Sequence, residues 1–101
     1  MIVVTSRLRV TSGDADALAE QYRRRGRAAD AFPGCRGVEV LRHLDRADEF
    51  VVVTRWDDER AYEAYRASAA FRSAHARLRE ILGGLRVAPA ARGLDRYEVL
   101  S

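Results

Sequence analysis

The stretch FVVVTRWDDERAYEAYRASAAFRSAHAR, residues 50–77, decides the fold of this chain. Its first seven residues are rich in β-branched and aromatic side chains, which is typical of a strand, here one that ends at Trp56. Acidic residues follow at 57–59, and negative charge at that point favours the N-terminus of a helix. The helix that follows carries Tyr62 and Tyr65. The stretch therefore predicts a buried strand followed by an aromatic helix.

A second helical segment is predicted within the same stretch. Ser68 is a suitable N-cap, and apolar residues recur after it at helical spacing. His75 lies on this apolar stripe, one turn after Phe71. Gly83 and Gly84 are expected to end the helix. The stripe consists of Phe71, Ala74, His75, Leu78 and Leu82.

The residues before this stretch predict two strands and one helix. The first strand alternates between its two faces, and the more apolar face includes Ser6. Pro33 disfavours helix in the residue before it and so separates the helix from the second strand. The expected bounds are residues 2–10 for the first strand, 12–30 for the helix, 37–43 for the second strand and 44–48 for a hairpin loop.

The last part of the chain predicts a loop and one more strand. Residues 86–93 include Pro89 and predict the loop, and residues 94–100 predict the strand. The complete order is then β-α-β-β-α-β, the ferredoxin-like pattern of an α+β fold. This pattern places both helical layers on one face of a four-stranded antiparallel sheet. At 101 residues the chain is expected to form a single domain, residues 1–101.

The second face of that sheet is predicted to lack a cover. Val3, Val51 and Val53 point to it. A large exposed apolar face on a soluble protein indicates a partner. We expect a symmetric homodimer in which two sheets pack face to face.

Composition indicates a folded protein of the cytoplasm. Hydrophobic residues make up 48% and charged residues 33%, which excludes a disordered chain. No apolar run approaches the roughly 20 residues of a membrane span. Met1 leads directly into the first strand, so no signal peptide is evident. The single cysteine, Cys35, cannot form an internal disulfide, which fits a reducing compartment.

The charge pattern gives no support for nucleic-acid binding. The net charge is +3, and all eighteen basic residues are arginines. The densest basic run is at 23–27, but acidic residues are interspersed along the rest of the chain and no nucleic-acid motif accompanies it. Arg25 can instead bind a carboxylate, for which a guanidinium is well suited, or belong to a solvated helix face. No glycine-rich phosphate loop is present, so no nucleotide cofactor is indicated.

The chain resembles the antibiotic biosynthesis monooxygenase superfamily in the order of its features. That order is a strand, Trp56, an acidic cap, Tyr-x-x-Tyr and then Ser-x-x-Phe-x-x-x-His. Within it, the chain is most similar to the small dimeric haem-degrading (IsdG-type) monooxygenases. The resemblance implies a dimeric α+β barrel. In those enzymes the helix after the Trp-containing strand carries the proximal haem histidine, and the residues from Ser68 to His75 match its surroundings. The resemblance therefore implies that His75 ligates haem iron, and a neutral imidazole is a good ligand for that metal.

The resemblance also implies further site residues. Ser6 and Tyr65 occupy the positions of an asparagine and a tryptophan that contact the haem or its oxygen in the IsdG-type enzymes. The candidate catalytic residues are therefore Ser6, Tyr65 and His75. The residues themselves add contacts, since tyrosines can orient a planar ligand and an arginine can bind a propionate or another carboxylate. The candidate haem-contacting residues are Tyr22, Arg25, Tyr62, Phe71 and His75. The alternatives are a core role for the tyrosines and a partly buried core histidine at position 75, because one histidine defines no metal site.

Three functions remain open on the sequence. The first is a haem-binding monooxygenase that degrades haem or uses it to oxidise another substrate. The second is a cofactor-independent monooxygenase that oxidises an aromatic polyketide-type substrate, with no haem. The third is a dimeric module that binds a hydrophobic aromatic small molecule without chemistry, since fold alone does not establish activity.

Overall fold

A computed structural model describes residues 1–10, 12–25, 29–83 and 93–101. The strands are β1 (Ile2–Arg9), β2 (Cys35–Arg42), β3 (Glu49–Trp56) and β4 (Gly93–Glu98). The helices are α1 (Ala15–Arg23), α2 (Glu59–Arg66) and α3 (Ala69–Gly83), and a short 3-10 turn at Ser12–Asp14 precedes α1. The strand order in the sheet is β2-β3-β1-β4, with every neighbouring pair antiparallel. This confirms the ferredoxin-like α+β fold. The loop predicted before β4 lies outside the described residues, apart from Gly93.

Two polar side chains set the starts of α2 and α3, as the sequence predicts. The Asp58 carboxylate accepts a hydrogen bond of 2.8 Å from the backbone N–H of Ala61. The Ser68 hydroxyl accepts one of 3.1 Å from the N–H of Phe71 and donates one of 2.6 Å to the carbonyl of Tyr65. Ser68 thus bonds to the last turn of α2 and caps α3. The two helices follow one another with only two residues between them.

The first helix is shorter than the sequence predicts. It ends at Arg23, not near residue 30, and its C-cap Arg24 already departs from helical geometry at φ −101° and ψ 15°. The following residues favour this end, since Gly26 has a low helix propensity. Hydrogen bonds of 3.1 Å from Phe32 N–H to Ala29 and 3.0 Å from Cys35 N–H to Phe32 shape the turns that lead into β2.

The helix-covered face of the sheet, here the inner face, holds two separate hydrophobic clusters. The first cluster lies under α1, and Tyr22 packs against it. The second lies under α2 and the start of α3, where Phe32, Cys35 and Phe71 pack against it. The first cluster is Leu8, Val10, Ala15, Leu18, Ala19 and Phe50. The second is Ile2, Val4, Trp56, Tyr62 and Tyr65.

The outer face of the sheet carries the predicted valines. Val3 and Val51 are half-buried, whereas Val53 is only 8% exposed within the single chain. The exposed apolar side chains of this face are Leu41, at 47%, and Tyr97, at 54%. A substitution at Val53 would therefore disturb the chain itself, so Leu41 and Tyr97 are the better probes of a partner on this face.

Candidate functional site

The strip of the inner face between the two clusters, called the groove below, is less covered than the clusters themselves. Its floor is one row of side chains, one from each strand, that belongs to neither cluster. Ser6 and Leu94 are exposed in this row, and Val52 and Val40 are half-buried. The spacing of about 4.8 Å between strands makes a row of four strands about 14 Å long. The row runs Leu94, Ser6, Val52, Val40 from β4 to β2.

Ser6 is the polar member of this floor row. It pairs with Val52 on one side and with Leu94 on the other, so apolar side chains flank its hydroxyl. The hydroxyl has no hydrogen-bond partner among the described residues and is accessible from the groove. A ligand lying on this floor would therefore meet mostly apolar surface and one hydrogen-bonding group, which is typical of small-molecule sites.

A series of ring contacts connects the core to His75. The ring of Trp56, which is completely buried, stacks on Tyr65 with centroids 5.1 Å apart and an interplanar angle of 29°. Tyr65 meets Phe71 edge-on at 5.4 Å, and Phe71 lies 3.9 Å from the imidazole of His75. His75 is exposed. The structure thus holds an accessible imidazole against a ring that is itself fixed by the second cluster.

Tyr62 and Tyr65 lie in the core and are only 5% and 7% exposed. Burial raises the pKa of both hydroxyls above the ordinary value. The pKa of Tyr65 is raised further by the charges of Cys35, Tyr62 and Asp30. Both side chains are therefore neutral phenols at neutral pH. Both tyrosines therefore pack in the core, which is the alternative to ligand contact given in the sequence analysis. Their hydroxyls remain available as hydrogen-bond donors.

Tyr22 lies on the opposite side of the groove from the aromatic series. It is half-buried and packs against the first cluster, with its ring centroid 5.6 Å from that of Phe50. The structure therefore places two predicted site residues, Tyr65 and Phe71, together on one side of the groove and Tyr22 on the other. Trp56 is buried at the end of the interior strand β3 and packs in the core.

Arg25 forms an ion pair within the chain. Its Nη1 and Nη2 donate to the two carboxylate oxygens of Asp30 at 2.7 and 3.2 Å. Nη2 also donates to the carbonyl of Val38 at 3.2 Å. The guanidinium is only 20% exposed. Arg25 thus connects Asp30, in the segment after α1, to Val38 of β2 through hydrogen bonds.

A thiol lies near this ion pair. Cys35 is half-buried, and burial is the main cause of the rise in its pKa. Its Sγ donates weakly to the carbonyl of Gly37 at 3.8 Å, and the negative charge of Asp30 raises the thiol pKa further. Cys35 is therefore a protonated packing residue of the second cluster.

Sequence reasoning missed several residues of this site. Asp30 is the partner of Arg25, and Phe32 contacts both Trp56 and Tyr65, at 6.3 and 5.3 Å. Phe32 directly precedes Pro33, where the sequence predicts only a break in the helix, although a large aromatic at such a position is itself a packing signal. Leu94 and Val40 join the floor through the register of β4 and β2, which only the folded sheet defines.

The described residues contain no group of three metal-ligating side chains, so His75 would act as a single protein ligand. Among the residues that the structure describes, no helix is long and apolar enough to cross a membrane.

Comparisons with known proteins link the chain to one family. The profile of the antibiotic biosynthesis monooxygenases matches residues 1–77, which include His75 and stop before β4. A protein of Bacillus cereus named heme-degrading monooxygenase is 34% identical over 77 residues, which cover 74% of this chain and 71% of that protein. A protein of the same name from Halalkalibacterium halodurans is 34% identical over 79 residues, covering 76% of this chain and 67% of that protein.

Solved structures share the fold over the whole chain. The heme degrader MhuD from Mycobacterium tuberculosis, with two hemes in its active site, has a TM-score of 0.73 at 24% identity and covers 100% of this chain and 97% of that one. A mutant of MhuD with two manganese protoporphyrin IX molecules per active site has a TM-score of 0.74 at 26% identity, with coverages of 100% and 96%. An antibiotic biosynthesis monooxygenase has a TM-score of 0.72 at 16% identity and covers 100% of each chain.

Proposed function

This chain belongs to the antibiotic biosynthesis monooxygenase family, and on that premise we propose that it is a haem-binding monooxygenase in which His75 would hold the iron. The observation that carries the proposal is the exposed imidazole of His75, whose ring centroid lies 3.9 Å from that of Phe71, a residue that packs against the second cluster. The names of the curated relatives, heme-degrading monooxygenases, support it.

The residues present fit a flat, largely apolar cofactor. The floor row offers three aliphatic side chains and one hydroxyl, and aromatic side chains stand on either side. His75 would hold the iron, and Phe71 would fix the plane of the imidazole. Haem supplies the oxygen chemistry when bound, while the protein supplies the ligand, the shape of the site and its low polarity.

Ser6 and Tyr65 contribute polar groups in different ways. The Ser6 hydroxyl is accessible in the floor row and can donate a hydrogen bond to a ligand atom above it. Tyr65 is a buried neutral phenol that supports Phe71 through its ring, so it positions the residue next to His75. Tyr62 packs against Trp56 at 5.8 Å and supports the same wall. Tyr22 forms the facing side.

We also propose that the functional protein is a homodimer packed through the outer faces of two sheets. Val3, Val51 and Val53 give this face an apolar centre, and Leu41 and Tyr97 extend it with exposed apolar surface. A second copy of the chain would remove this surface from water. Exposed apolar patches of this kind usually mark a protein interface.

A cofactor-independent monooxygenase is the second candidate. The observation that favours it is the pair of hydroxyl residues, Ser6 and Tyr65, which stand where the IsdG-type enzymes have asparagine and tryptophan. In such an enzyme the groove would bind an electron-rich aromatic substrate in a water-poor setting, with His75 and these hydroxyls as proton donors or acceptors. Haem would then not bind.

Titration of the purified protein with hemin distinguishes the two candidates. The haem proposal requires a Soret shift that saturates at equimolar hemin and depends on His75. Absence of saturable binding, together with oxygen consumption on a polyphenol, would instead establish the cofactor-independent candidate.

A further inference from the structure

We propose that Arg7 and Asp95 form ion pairs across the homodimer interface, so that the charges of one chain recognise those of a second copy. This inference rests on the homodimer proposed above, and it adds the residues that select the partner and set its orientation. Both residues lie on the outer face of the sheet, and both are exposed in the single chain. A second sheet packed on that face would bury them.

Two kinds of charged side chain lie near the apolar centre of the outer face. Arg55 donates a hydrogen bond of 3.2 Å to Glu39, so these two charges compensate each other within the chain. Arg7 and Asp95, in contrast, have no ion-pair or side-chain hydrogen-bond partner among the described residues. An unpaired charge is costly to remove from water. Covering this face therefore requires a new partner for each of these two side chains.

The guanidinium of Arg7 lies over Gly93, the residue opposite it on the edge strand β4. A Cβ added to Gly93 would lie 3.2 Å from Nη2 of Arg7. The absence of a side chain at this position thus leaves room for the arginine to cross β4 close to the backbone. The cation is therefore positioned over β4, on the side that faces a second sheet.

The register of the sheet makes the outer face complementary to itself. Two neighbouring rows of side chains cross the strands from β2 to β4. The rows are Leu41, Val51, Arg7, Gly93 and Glu39, Val53, Thr5, Asp95. A two-fold axis that runs across the strands, midway between these rows, places each row on the other row of the partner subunit. Valine then meets valine at the centre, and the guanidinium over Gly93 meets Asp95 of the partner subunit.

The symmetry of such a dimer forms the contact twice. In an isologous interface, contact of Arg7 with Asp95 of the partner subunit implies contact of Asp95 with Arg7 of the partner subunit. Packed sheets lie about 10 Å apart, a gap that an arginine and an aspartate can span together. Charge pairs of this kind act mainly on specificity and orientation, because a like charge at either position opposes association.

The test is a mixing experiment with two charge reversals, Arg7→Asp and Asp95→Arg. Each variant alone places two like-charge contacts in its own dimer, so its dissociation constant should rise at least about 100-fold in sedimentation experiments. An equal mixture restores both opposite-charge contacts and should form a heterodimer within about tenfold of the wild-type affinity. Native mass spectrometry distinguishes this heterodimer by its mass. The matched control Arg60→Asp changes an exposed residue of α2, on the other side of the sheet, and should dimerise like wild type.

The double reversal Arg7→Asp/Asp95→Arg keeps the test decisive if a single variant fails to fold. It preserves the net charge and should form a homodimer of its own. It should not form mixed dimers with wild type, because arginine would then face arginine and aspartate would face aspartate. Free mixing of the double reversal with wild type would show that the two residues do not meet across the interface, and would overturn the inference.

The outcomes separate this inference from the homodimer itself. A monomeric wild type would exclude both. A wild-type dimer that neither single reversal weakens would retain the homodimer and exclude the role of Arg7 and Asp95. Weakened association in both single variants, with no recovery in their mixture, would also contradict the inference, because the charges would then act within one chain.

Discussion

The indole Nε1 of Trp56 donates a hydrogen bond of 2.8 Å to Oγ1 of Thr54, two residues earlier on the same face of β3. The Thr54 hydroxyl in turn donates a longer bond of 3.4 Å to the carbonyl of Val4 on β1. Trp56 is completely buried, so this hydroxyl satisfies an indole N–H that has no access to water. Thr54 therefore fixes the ring on which the aromatic series toward His75 is built.

Replacing Thr54 by Val tests this relationship. The substitution keeps the shape of the side chain but leaves the indole N–H buried and unsatisfied, which costs about 1–3 kcal/mol. Chemical denaturation should show this loss in the free energy of unfolding. Thr54→Ser, which keeps the hydroxyl that accepts from the indole, is the matched control and should lower it by less. Equal effects of the two substitutions would refute the role of Thr54.

Replacing His75 by Ala separates ligation from stability. The imidazole is exposed, so the free energy of unfolding should change by less than about 0.5 kcal/mol. Hemin binding, read at the Soret band, should weaken by at least about tenfold, because the side chain that would hold the iron is lost. An unchanged Soret spectrum in folded His75→Ala would remove this residue from the ligand role.

The other histidine provides the reverse control. His43 Nδ1 accepts backbone hydrogen bonds of 3.0 Å from Asp45 and 2.9 Å from Arg46, so it shapes the hairpin between β2 and β3. His43→Ala should therefore lower stability by about 1 kcal/mol or more and leave the Soret shift intact. Loss of haem binding in this variant as well would show that reduced binding follows from reduced stability and not from loss of the iron ligand.

Replacing Gly34 by Ala should be strongly destabilising. Gly34 has a φ of +85°, and an added Cβ would lie 2.5 Å from the Cβ of Ala61 on α2. Backbone strain and the clash together cost roughly 1–3 kcal/mol. Gly13→Ala, where a Cβ meets no atom within 4 Å, should be nearly neutral in the same thermal melts. A Gly34→Ala protein as stable as Gly13→Ala would contradict the packing of this turn on α2.

Replacing Leu41 by Arg should dissociate the proposed dimer. Leu41 is 47% exposed on the outer face, and its burial against a second copy would make a charge there unfavourable. We expect association to weaken about 10- to 100-fold in sedimentation experiments. Leu44→Arg makes the same change at a hairpin residue that is 98% exposed and should leave the dimer intact. A monomeric wild type, or a dimer indifferent to Leu41→Arg, would rule out face-to-face packing.

The protein should lose stability as the pH rises through about 9 to 11. Burial raises the pKa values of Tyr62, Tyr65 and Cys35, so the unfolded chain releases these protons first and alkaline pH favours unfolding. Each group contributes a slope of up to about 1.4 kcal/mol per pH unit. Tyr65→Phe should flatten the dependence measured by urea denaturation, because it removes one of the buried hydroxyls. A flat profile in the wild type would show that these hydroxyls ionise in the folded state.

The sequence predicted those parts of the fold that depend on local chemistry. Asp58 and Ser68 begin their helices as caps because their side chains reach backbone N–H groups only three residues away. The inner faces of β1 and β3 follow directly from the period of two along a strand. These features need no knowledge of the rest of the chain.

Features that depend on distant partners were not predictable in the same way. The end of α1 at Arg23 accompanies an ion pair between Arg25 and Asp30 that also reaches β2. The helical period placed Tyr65 on the apolar side of α2, but its burial depends on Trp56 and Phe32. The candidate site was therefore predicted as a set of residues, while its walls and floor required the folded sheet.

The division of the inner face into two clusters has a consequence for how the chain opens. α1 packs on one cluster and α2 on the other, and the sheet is the element they share. Each flank can then loosen without the other, so amide protons of α1 and α2 are expected to exchange as two separate groups. A molecule lying in the groove would contact both flanks, so α1 and α2 would then open together. Binding of such a molecule should merge the two exchange phases into one. A single exchange phase shared by α1 and α2 would therefore indicate that the groove is occupied.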